Sequence, residues 1–409
     1  MTRSPQGKAG PTGGWAFRAG MRRGALGWRG SAKAIDRLKQ ATKEIKAATK
    51  TDPVRAGEGV VVLAERIWPA FEQIDTSTGA LGTAVNRTLD ELIPILIAAP
   101  ADEPTRAKWV DRLIDAIQDD GVDYLAQLAE RFGAIAAFPA LMNHVADDTI
   151  GVVRSAWTAA GFAYTALAPV CLSCLLEAGR YDDLNELLAL KRNRFWPDER
   201  FAAEALLRQG KPEEALAFAE AVLREAPNGH YGCQIAQFCE RVLIGLGRTE
   251  EAYRRYALPT ATGSTYLATW RALCKRYPDR PKHAVLADLI EAHGEKGKWF
   301  AAAKTAGCLD IALDCAGADD ADPRTLIRAA RDFAEKEPRF AANVALRAIS
   351  QLLAGRGYDT VPDDAADAVQ YLREAARRID GEAWAVEAVE RMMAESGPFG
   401  EPFLPALRR

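Results

Sequence analysis

A short phrase built around glycine, which returns along the second half of the chain, constrains the fold more than any other feature. The clear copies place an acidic pair three and four residues after the glycine, the fainter copy has a single aspartate there, and a small or aliphatic residue stands at the fifth position of every copy. Three clear copies and one fainter copy begin at Gly179, Gly210, Gly247 and Gly307. Glycine ends a helix by adopting the left-handed conformation, and acidic residues favour the positive end of the next helix. This glycine phrase therefore predicts stacked pairs of helices.

The spacing of the glycines fits one helix pair per repeat. Gly179 and Gly210 are 31 residues apart, and Gly210 and Gly247 are 37 residues apart. Two helices of about three turns each, with their loops, need ~30 to 40 residues. We therefore predict helical repeats from about residue 150 to about residue 318.

The glycine phrase resembles the second half of the tetratricopeptide repeat. The matching residues are Gly210, Ala215 and Pro227 in one copy and, in part, Gly179 with Tyr181 and Gly247 with Ala252. Pro212 and Thr249 replace the usual aromatic residue in two copies. The spacings also straddle the family's period of about 34 residues. The resemblance implies a degenerate array that presents a binding surface.

Two further segments carry a second resemblance. The sequence Lys-Trp-Phe-Ala-Ala-Ala-Lys over residues 298–304 and the helix-forming stretch over residues 322–333 are similar to a group of uncharacterised bacterial helical-repeat proteins. That resemblance implies a helical-repeat architecture and no assigned activity.

The predicted fold class is all-α, because no stretch shows the alternating pattern of a strand. We predict an α-α superhelix, built as a degenerate tetratricopeptide-like solenoid of antiparallel helix pairs. Residues 1–30 hold eight glycines without periodicity and are predicted to be a disordered basic arm. A helical module over residues 31–149, the solenoid over residues 150–395 and a Pro/Gly-rich tail over residues 396–409 are predicted to follow. Within the module we predict a helix start at Asp52 and Pro53, a helix from Asp102 to Gln118, and two shorter helices around residues 122–132 and 134–146.

The charge of the chain is distributed unevenly. The formal net charge is −3, yet the first fifty residues hold twelve Lys/Arg and two acidic residues. Arginines interleaved with tryptophan can bind phosphates and stack on unpaired bases. The candidate residues for nucleic-acid binding are Arg18, Arg22, Arg23, Trp28 and Arg29. Two alternatives stay open, namely a solubilising tail and a helix over residues 31–50 that lies on an anionic membrane surface.

A second basic surface is predicted in the C-terminal half. Three arginines spaced i, i+4 and i+7 share one helix face, and the preceding helix offers two lysines and a tryptophan. The candidate ligand-binding residues, here named the basic ridge, are Lys298, Trp299, Lys304, Arg324, Arg328 and Arg331. Guanidinium groups on such a face could hold a carboxylate, a phosphate or an acidic peptide. The alternative is a solvated charged face with Trp299 packed against the next helix.

No catalytic, cofactor or metal site is predicted. The acidic pairs are interpreted as helix starts, and they are Asp119 with Asp120, Asp147 with Asp148, Asp182 with Asp183, Glu213 with Glu214, Glu250 with Glu251, and Asp363 with Asp364. Cys171 and Cys174 lack a second pair of metal ligands, so we interpret them as buried core residues. The four histidines are dispersed, and no phosphate-binding glycine loop follows a strand.

The predicted function is that of a non-catalytic scaffold that binds a protein or acidic peptide on the concave face of the array. The first alternative is a nucleic-acid-associated protein that uses the basic arm, and the second is an enzyme of unrecognised type. Seven scattered cysteines favour a reducing, cytoplasmic location. The uncharged stretch over residues 155–176 is predicted to be a buried helix rather than a membrane span. The oligomeric state stays open.

Overall fold

The computed structural model describes residues 14–159, 164–191, 194–225 and 229–408. Every regular element in these ranges is helical, which confirms the all-α fold class. The chain forms two compact units, which extend over Met1–Pro227 and Asn228–Arg409.

Unit 1 begins with a short 3-10 helix, Ala16–Ala19, and continues with helices joined by short turns. These helices are α1 (Ser31–Ala48), α2 (Pro53–Phe71), α3 (Ala80–Ala98), α4 (Glu103–Asp119), α5 (Ala126–Glu130), α6 (Phe132–Ala136), α7 (Pro139–Thr158), α8 (Leu167–Glu177), α9 (Tyr181–Ala189), α10 (Trp196–Arg208) and α11 (Pro212–Glu225). The predicted starts of α2 and α4 are confirmed, since the side chains of Asp52 and Asp102 accept the backbone N–H groups of Arg55 and Thr105.

Unit 2 also consists of consecutive helices. They are α12 (Gly232–Gly245), α13 (Thr249–Ala252), α14 (Tyr266–Arg276), α15 (Lys282–His293), α16 (Phe300–Thr305), α17 (Leu309–Ala316), α18 (Pro323–Phe333), α19 (Pro338–Leu353), α20 (Pro362–Arg377), α21 (Glu382–Ala394) and α22 (Leu404–Leu407). A π-helical turn, Tyr253–Ala257, extends α13. Two 3-10 turns, Lys296–Trp299 and Pro398–Phe403, precede α16 and α22.

The glycine phrase folds as predicted. Gly179, Gly210, Gly247 and Gly307 have φ values of 74°, 73°, 75° and 77°, all in the left-handed region. The residue after each glycine donates its backbone N–H to the carbonyl five residues earlier, as Arg180 does to Leu175 at 2.9 Å. This bonding pattern, the Schellman motif, satisfies carbonyls that the end of a helix would otherwise leave without partners.

The phrase also contains an ion pair that the sequence analysis did not identify. A basic residue follows the glycine in three copies and pairs with the second acidic residue. The pairs are Arg180 with Asp183 at 2.7 Å, Lys211 with Glu214 at 3.8 Å and Arg248 with Glu251 at 2.7 Å. The residue five positions after each glycine is buried; these residues are Leu184, Ala215, Ala252 and Ala312. The three clear copies are therefore fixed by their own backbone, charge and packing contacts.

Several polar contacts between neighbouring helices join residues that are about one repeat length apart in the sequence. Examples are Arg208 with Glu177, Arg276 with Glu240, and Arg324 with Asp364, separated by 31, 36 and 40 residues. A separation of one repeat length is expected when equivalent helices of successive repeats lie side by side. Consecutive helices pack against one another in each unit, which is compatible with a helical repeat.

The predicted region boundaries differ from the elements observed. The boundary between residues 149 and 150 falls inside α7, and the division between the compact units falls inside the predicted solenoid. Phe403, Ala406 and Leu407 are buried, so the predicted loose tail packs on its own unit.

The predicted disorder of residues 1–30 does not hold for residues 14–30. Four apolar side chains of this segment, Trp15, Phe17, Met21 and Leu26, are buried in the core of unit 1. The sequence gives no periodic pattern here because the segment is held by contacts to other helices rather than by a long helix of its own. Residues 1–13 lie outside the described residues.

The uncharged stretch over residues 155–176 is divided between two helices. α7 ends at Thr158 and α8 begins at Leu167, with residues 160–163 outside the described ranges. Among the helices that the structure describes, none is long and apolar enough to cross a membrane.

The buried Arg106 of α4 connects this helix to α3 and α6 of unit 1. The guanidinium of Arg106 donates to the carbonyls of Leu96, Ile97 and Ala99 at the end of α3 and to that of Ile135 in α6, at 2.5 to 2.9 Å. Only 2% of Arg106 is exposed, and burial lowers the pKa of this guanidinium. The cation lies where the negative end of the α3 dipole favours it.

Candidate functional site

The three arginines of the basic ridge lie on one side of α18. The opposite side of this helix is buried and consists of Leu326, Ile327, Ala329 and Ala330. Asp322 begins the helix by accepting the backbone N–H of Thr325 at 2.8 Å. The helix thus holds its arginines in a fixed orientation, but the three differ in what they contact.

Arg324 is occupied by contacts within unit 2. Its Nε lies 3.1 Å from both carboxylate oxygens of Asp364, and its Nη2 donates to the carbonyl of Asp359. Asp364 in turn accepts the backbone N–H of Val361, at the start of α20. Arg324 therefore connects α18 to α20, and its role as a ligand-binding residue stays a prediction.

Arg328 and Arg331 remain on the surface. Arg331 contacts the neighbouring Asp332 at 2.9 Å with more than half of its side chain exposed, and it also lies beside Tyr371 of α20. Arg328 is exposed and donates to the hydroxyl of Thr325 at 3.0 Å. Among the described residues, no carboxylate pairs with Arg328. It is the guanidinium of the ridge that is best placed to bind an anion.

Trp299 is not accessible at the surface, since only 1% of it is exposed. Its ring packs edge-on against Tyr266 at a centroid distance of 4.8 Å. The alternative weighed for this residue, packing against neighbouring helices, is the arrangement observed. The neighbouring Phe300, Ala302 and Ala303 are buried as well, so the segment over residues 298–304 is chiefly a packing motif.

The two lysines of the ridge differ in position. Lys298 is exposed in the 3-10 turn before α16. Lys304 is half-buried, and its Nζ lies 5.8 Å from the ring centroid of Phe333 at the end of α18. The contact with Phe333 places Lys304 near the end of α18 that carries Arg331.

The N-terminal basic segment, residues 14–30, exposes all five residues predicted for nucleic-acid binding. Arg18, Arg22, Arg23, Trp28 and Arg29 are exposed, although the apolar side chains between them are buried. The segment therefore has an inner apolar side and an outer basic side. Sequence reasoning selected the outer residues and missed the inner ones.

Polar contacts hold this segment against α1. The backbone N–H groups of Ala16 and Phe17 donate to the two carboxylate oxygens of Glu44 at 2.8 and 3.1 Å. Arg37 donates to the carbonyl of Gly20. These contacts fix the position of the segment on α1.

The structure also gives the positions of the two cysteines that were interpreted as core residues rather than metal ligands. Cys171 and Cys174 are fully buried in α8, and burial raises the pKa of the Cys171 thiol to about 11. No group of three or more metal-binding side chains occurs among the described residues.

The interpretation of the acidic pairs is right for four of them and wrong for two. The pairs in the first turn of a helix are those at 182–183, 213–214, 250–251 and 363–364. Asp119 and Asp120 instead lie at the end of α4, as its last residue and the residue after it, where Asp120 accepts the backbone N–H of Leu125 at 2.7 Å. Asp147 lies within α7 and pairs with Arg180 at 2.6 Å. Local sequence does not separate these roles.

Two buried polar networks were not found from the sequence, because their members are far apart in the chain. In unit 2, Tyr253 donates to Asp288 at 2.8 Å, and the guanidinium of Arg280 lies 3.7 Å from the Tyr253 ring centroid. In unit 1, Lys191 pairs with Asp198. These donors have acceptors within the protein, so the networks stabilise packing and leave no obvious group for a ligand.

Comparison with known proteins adds no family assignment, since no protein-family model and no curated protein sequence matches the chain.

Proposed function

We propose that this chain is a non-catalytic scaffold whose helical repeats bind an acidic peptide or protein segment. The observation that carries the proposal is a set of contacts between neighbouring helices whose partners are 31, 36 and 40 residues apart, which is about one repeat length. Stacks of this kind present equivalent positions of successive helices on a shared face, and such faces usually serve binding. We propose further that the array is tetratricopeptide-like, which the geometry of the glycine phrase supports.

The proposed binding surface is the outer side of α18 together with the adjoining part of α20. Arg324 contacts Asp364, and Arg331 lies beside Tyr371, so both contacts span 40 residues and the two helices run in the same direction. Arg328 lies between these two contacts and is open to a partner. A guanidinium binds a carboxylate through two parallel hydrogen bonds, which makes an acidic side chain the fitting ligand.

A charge reversal tests the proposal. The probe is a library of fluorescein-labelled acidic peptides, measured by anisotropy with the full chain. For the peptides that bind, Arg328→Glu is expected to weaken binding at least about ten-fold, since it replaces an attraction by a repulsion. Arg339→Glu is the matched control, because Arg339 is exposed on the neighbouring α19.

Two results would contradict this proposal. One is that no acidic peptide binds, and the other is that Arg328→Glu and Arg339→Glu weaken binding equally. Circular dichroism of both variants shows whether helicity is retained, so that a folding defect is recognised separately.

We also propose a reducing, cytoplasmic location, and the burial of Cys171, Cys174, Cys239 and Cys315 supports it, because buried thiols are poorly placed for disulfides between chains.

A further inference from the structure

A basic surface on unit 1 is not used by the proposed peptide site, which lies in unit 2. We propose that this surface, formed by the N-terminal basic segment and the exposed side of α1, binds single-stranded nucleic acid. The ligand chemistry is a flexible chain of phosphates with unstacked bases. The proposal rests on four features, which are charge, accessibility, rigidity and an exposed tryptophan.

The charge of the surface is strongly positive. Residues 14–50 contain ten Lys/Arg residues and two acidic residues, Asp36 and Glu44. Glu44 accepts backbone N–H groups, and Asp36 pairs with Lys39 at 3.3 Å. Ten cations against two carboxylates give residues 14–50 a formal charge of +8, whereas the chain as a whole has a net charge of −3. A polyanion is the ligand that such a patch attracts over a distance.

The arginines of the segment are accessible. The side chain of Arg23 is 71% exposed and lies 3.6 Å from Glu72, and Arg22 donates only to the carbonyl of Ala19. Arg18 and Arg29 are exposed, and within the described ranges neither pairs with a carboxylate. Binding phosphates would not require these arginines to abandon a strong internal ion pair.

Lysines form a second basic row on α1, on a different side of the helix from Glu44 and Arg37, which hold the segment. At 100° per residue, Lys39, Lys43 and Lys46 fall within an arc of about 60°, and Lys50 follows the end of the helix. All four are exposed, and Lys46 contacts Glu91 at 2.5 Å. A row of cations along a helix can follow a phosphate backbone without reading the base sequence.

The surface is held by a rigid base. Trp15 packs directly on the backbone of α2 at Gly59, where a methyl group would lie 2.5 Å from the Trp15 ring. Met21 is fully buried, and the backbone N–H of Asp75 donates to the carbonyl of Trp28 at 2.9 Å. The arginines are thus attached to a fixed backbone, which lowers the entropy that binding must remove.

Trp28 indicates the class of nucleic acid. Its side chain is 68% exposed, and arginines lie on both sides of it in the sequence. An indole that faces water next to cations is a platform on which an unpaired base can stack, whereas the bases of a duplex are already stacked. This feature favours a single strand over a duplex.

An anionic membrane fits the surface less well. Binding at a membrane surface needs an apolar helix face that enters the lipid boundary. The apolar face of α1, formed by Ala34, Leu38, Ala41 and Ile45, is buried in the core of unit 1. The alternative of a membrane-bound helix over residues 31–50 is therefore not supported by the packing of α1.

The experiment measures binding of the full chain to three probes. They are a fluorescein-labelled oligothymidine of about 15 nucleotides, the corresponding duplex, and vesicles of phosphatidylcholine with about one third phosphatidylserine. The single strand is expected to bind tightest, with an affinity that falls steeply as the salt concentration rises. Trp28→Ala is expected to weaken single-strand binding about ten-fold, and Trp28→Phe is expected to restore most of it, because phenylalanine can also stack.

A double variant separates charge from stacking. Arg22→Ala with Arg29→Ala is expected to lower the slope of log affinity against log salt by about 1.4, since each phosphate contact contributes about 0.7 for a single strand. The matched control is Lys336→Ala with Arg339→Ala, which removes the same charge from an exposed turn of unit 2. That control is expected to leave both the affinity and the slope unchanged.

Four results would overturn the proposal. They are no binding to oligothymidine, equal losses in the test and control variants, tighter binding to the duplex without an effect of Trp28→Ala, and binding to vesicles alone. All the substituted side chains are exposed, so circular dichroism is expected to show unchanged helicity, and a loss of binding then reports on the surface itself.

Discussion

Glycines in the left-handed conformation end helices in both units. This conformation determines which substitutions each position tolerates. At Gly210 φ is 73°, and no other atom lies within 4 Å of where a side chain would begin. A substitution there is therefore disfavoured by backbone conformation rather than by lack of space. Gly151 offers the opposite case, because it lies within α7 in ordinary helical conformation and also has open space around it.

We expect Gly210→Ala to destabilise the protein by about 1 to 2 kcal/mol, since an L-residue in the left-handed region carries that cost. Gly151→Ala should stabilise it by about 0.5 to 1 kcal/mol, since alanine is the better helix former. Urea unfolding monitored by circular dichroism measures both changes. Equal effects of the two substitutions would show that the left-handed conformation of Gly210 is not what stabilises the turn.

The residue scale also shows where sequence reasoning fails. The arginine spacing correctly placed Arg324, Arg328 and Arg331 on one helix face, because periodicity gives direction within a long helix. It could not show that Asp364, forty residues away, pairs with Arg324. Trp299 belongs to a short 3-10 turn, which offers too few residues for a periodic pattern to reveal burial.

Among the elements, α2 shows how glycine inside a helix can serve packing. A methyl group at Gly57 would lie 2.7 Å from the ring of Trp109, and one at Gly59 would lie 2.5 Å from the ring of Trp15. Glycine weakens an isolated helix, but here it allows two tryptophans to approach the α2 backbone. The N-terminal basic segment is anchored through one of these two contacts.

Gly59→Ala is expected to displace Trp15 and to destabilise the protein by about 1 to 3 kcal/mol, because a close-packed site has no room for another methyl group. The amides of Ala16 and Phe17, which donate to Glu44, should then exchange hydrogen faster. Gly82→Ala in α3 is the control, because Gly82 has open space around it. Unchanged exchange at Ala16 and Phe17 would show that Trp15 does not anchor the segment through Gly59.

Helices with strong boundary signals were predicted well, and short ones were not. Asp52 followed by Pro53 and Asp102 before Pro104 mark helix starts, and both starts are confirmed. The predicted helices over residues 122–132 and 134–146 instead form α5, α6 and α7. Five-residue helices such as α5 and α6 contain little more than one turn, so neighbouring contacts rather than intrinsic propensity determine where they end.

At the scale of the whole molecule, the sequence predicts the fold class and the distribution of charge better than it predicts individual binding residues. The all-α class and the uneven charge follow from patterns that extend over many residues, and local exceptions do not change them. The buried cysteines belong to the same class of prediction, since small apolar side chains within helical runs are usually part of a core. Four of the seven cysteines are buried and Cys233 is exposed.

Alkylation of thiols tests this distribution across the whole chain. At pH 8 iodoacetamide should label Cys233 first in the folded protein, with Cys171 and Cys174 protected by burial. The pKa of Cys171 is raised to about 11. Its thiolate fraction at pH 8 is then about a hundred-fold below that of an ordinary cysteine, because each pKa unit is a factor of ten. In urea all seven should react, and mass spectrometry of peptides gives the rates. Rapid labelling of Cys171 in the folded protein would contradict the packing of α8.

The turns of the glycine phrase have a consequence for how this chain could change in length. Each of the three clear copies contains its own helix stop, its own ion pair and its own buried residue within six consecutive positions, as from Gly179 to Leu184. A six-residue cassette of this kind does not depend on the length of the helices that it joins. Insertions or deletions of helical turns between cassettes would leave the cassettes intact, which is compatible with the spacings of 31 and 37 residues between successive glycines. Because each cassette is independent of helix length, it is suitable as a connecting turn when helix pairs are exchanged between helical-repeat proteins.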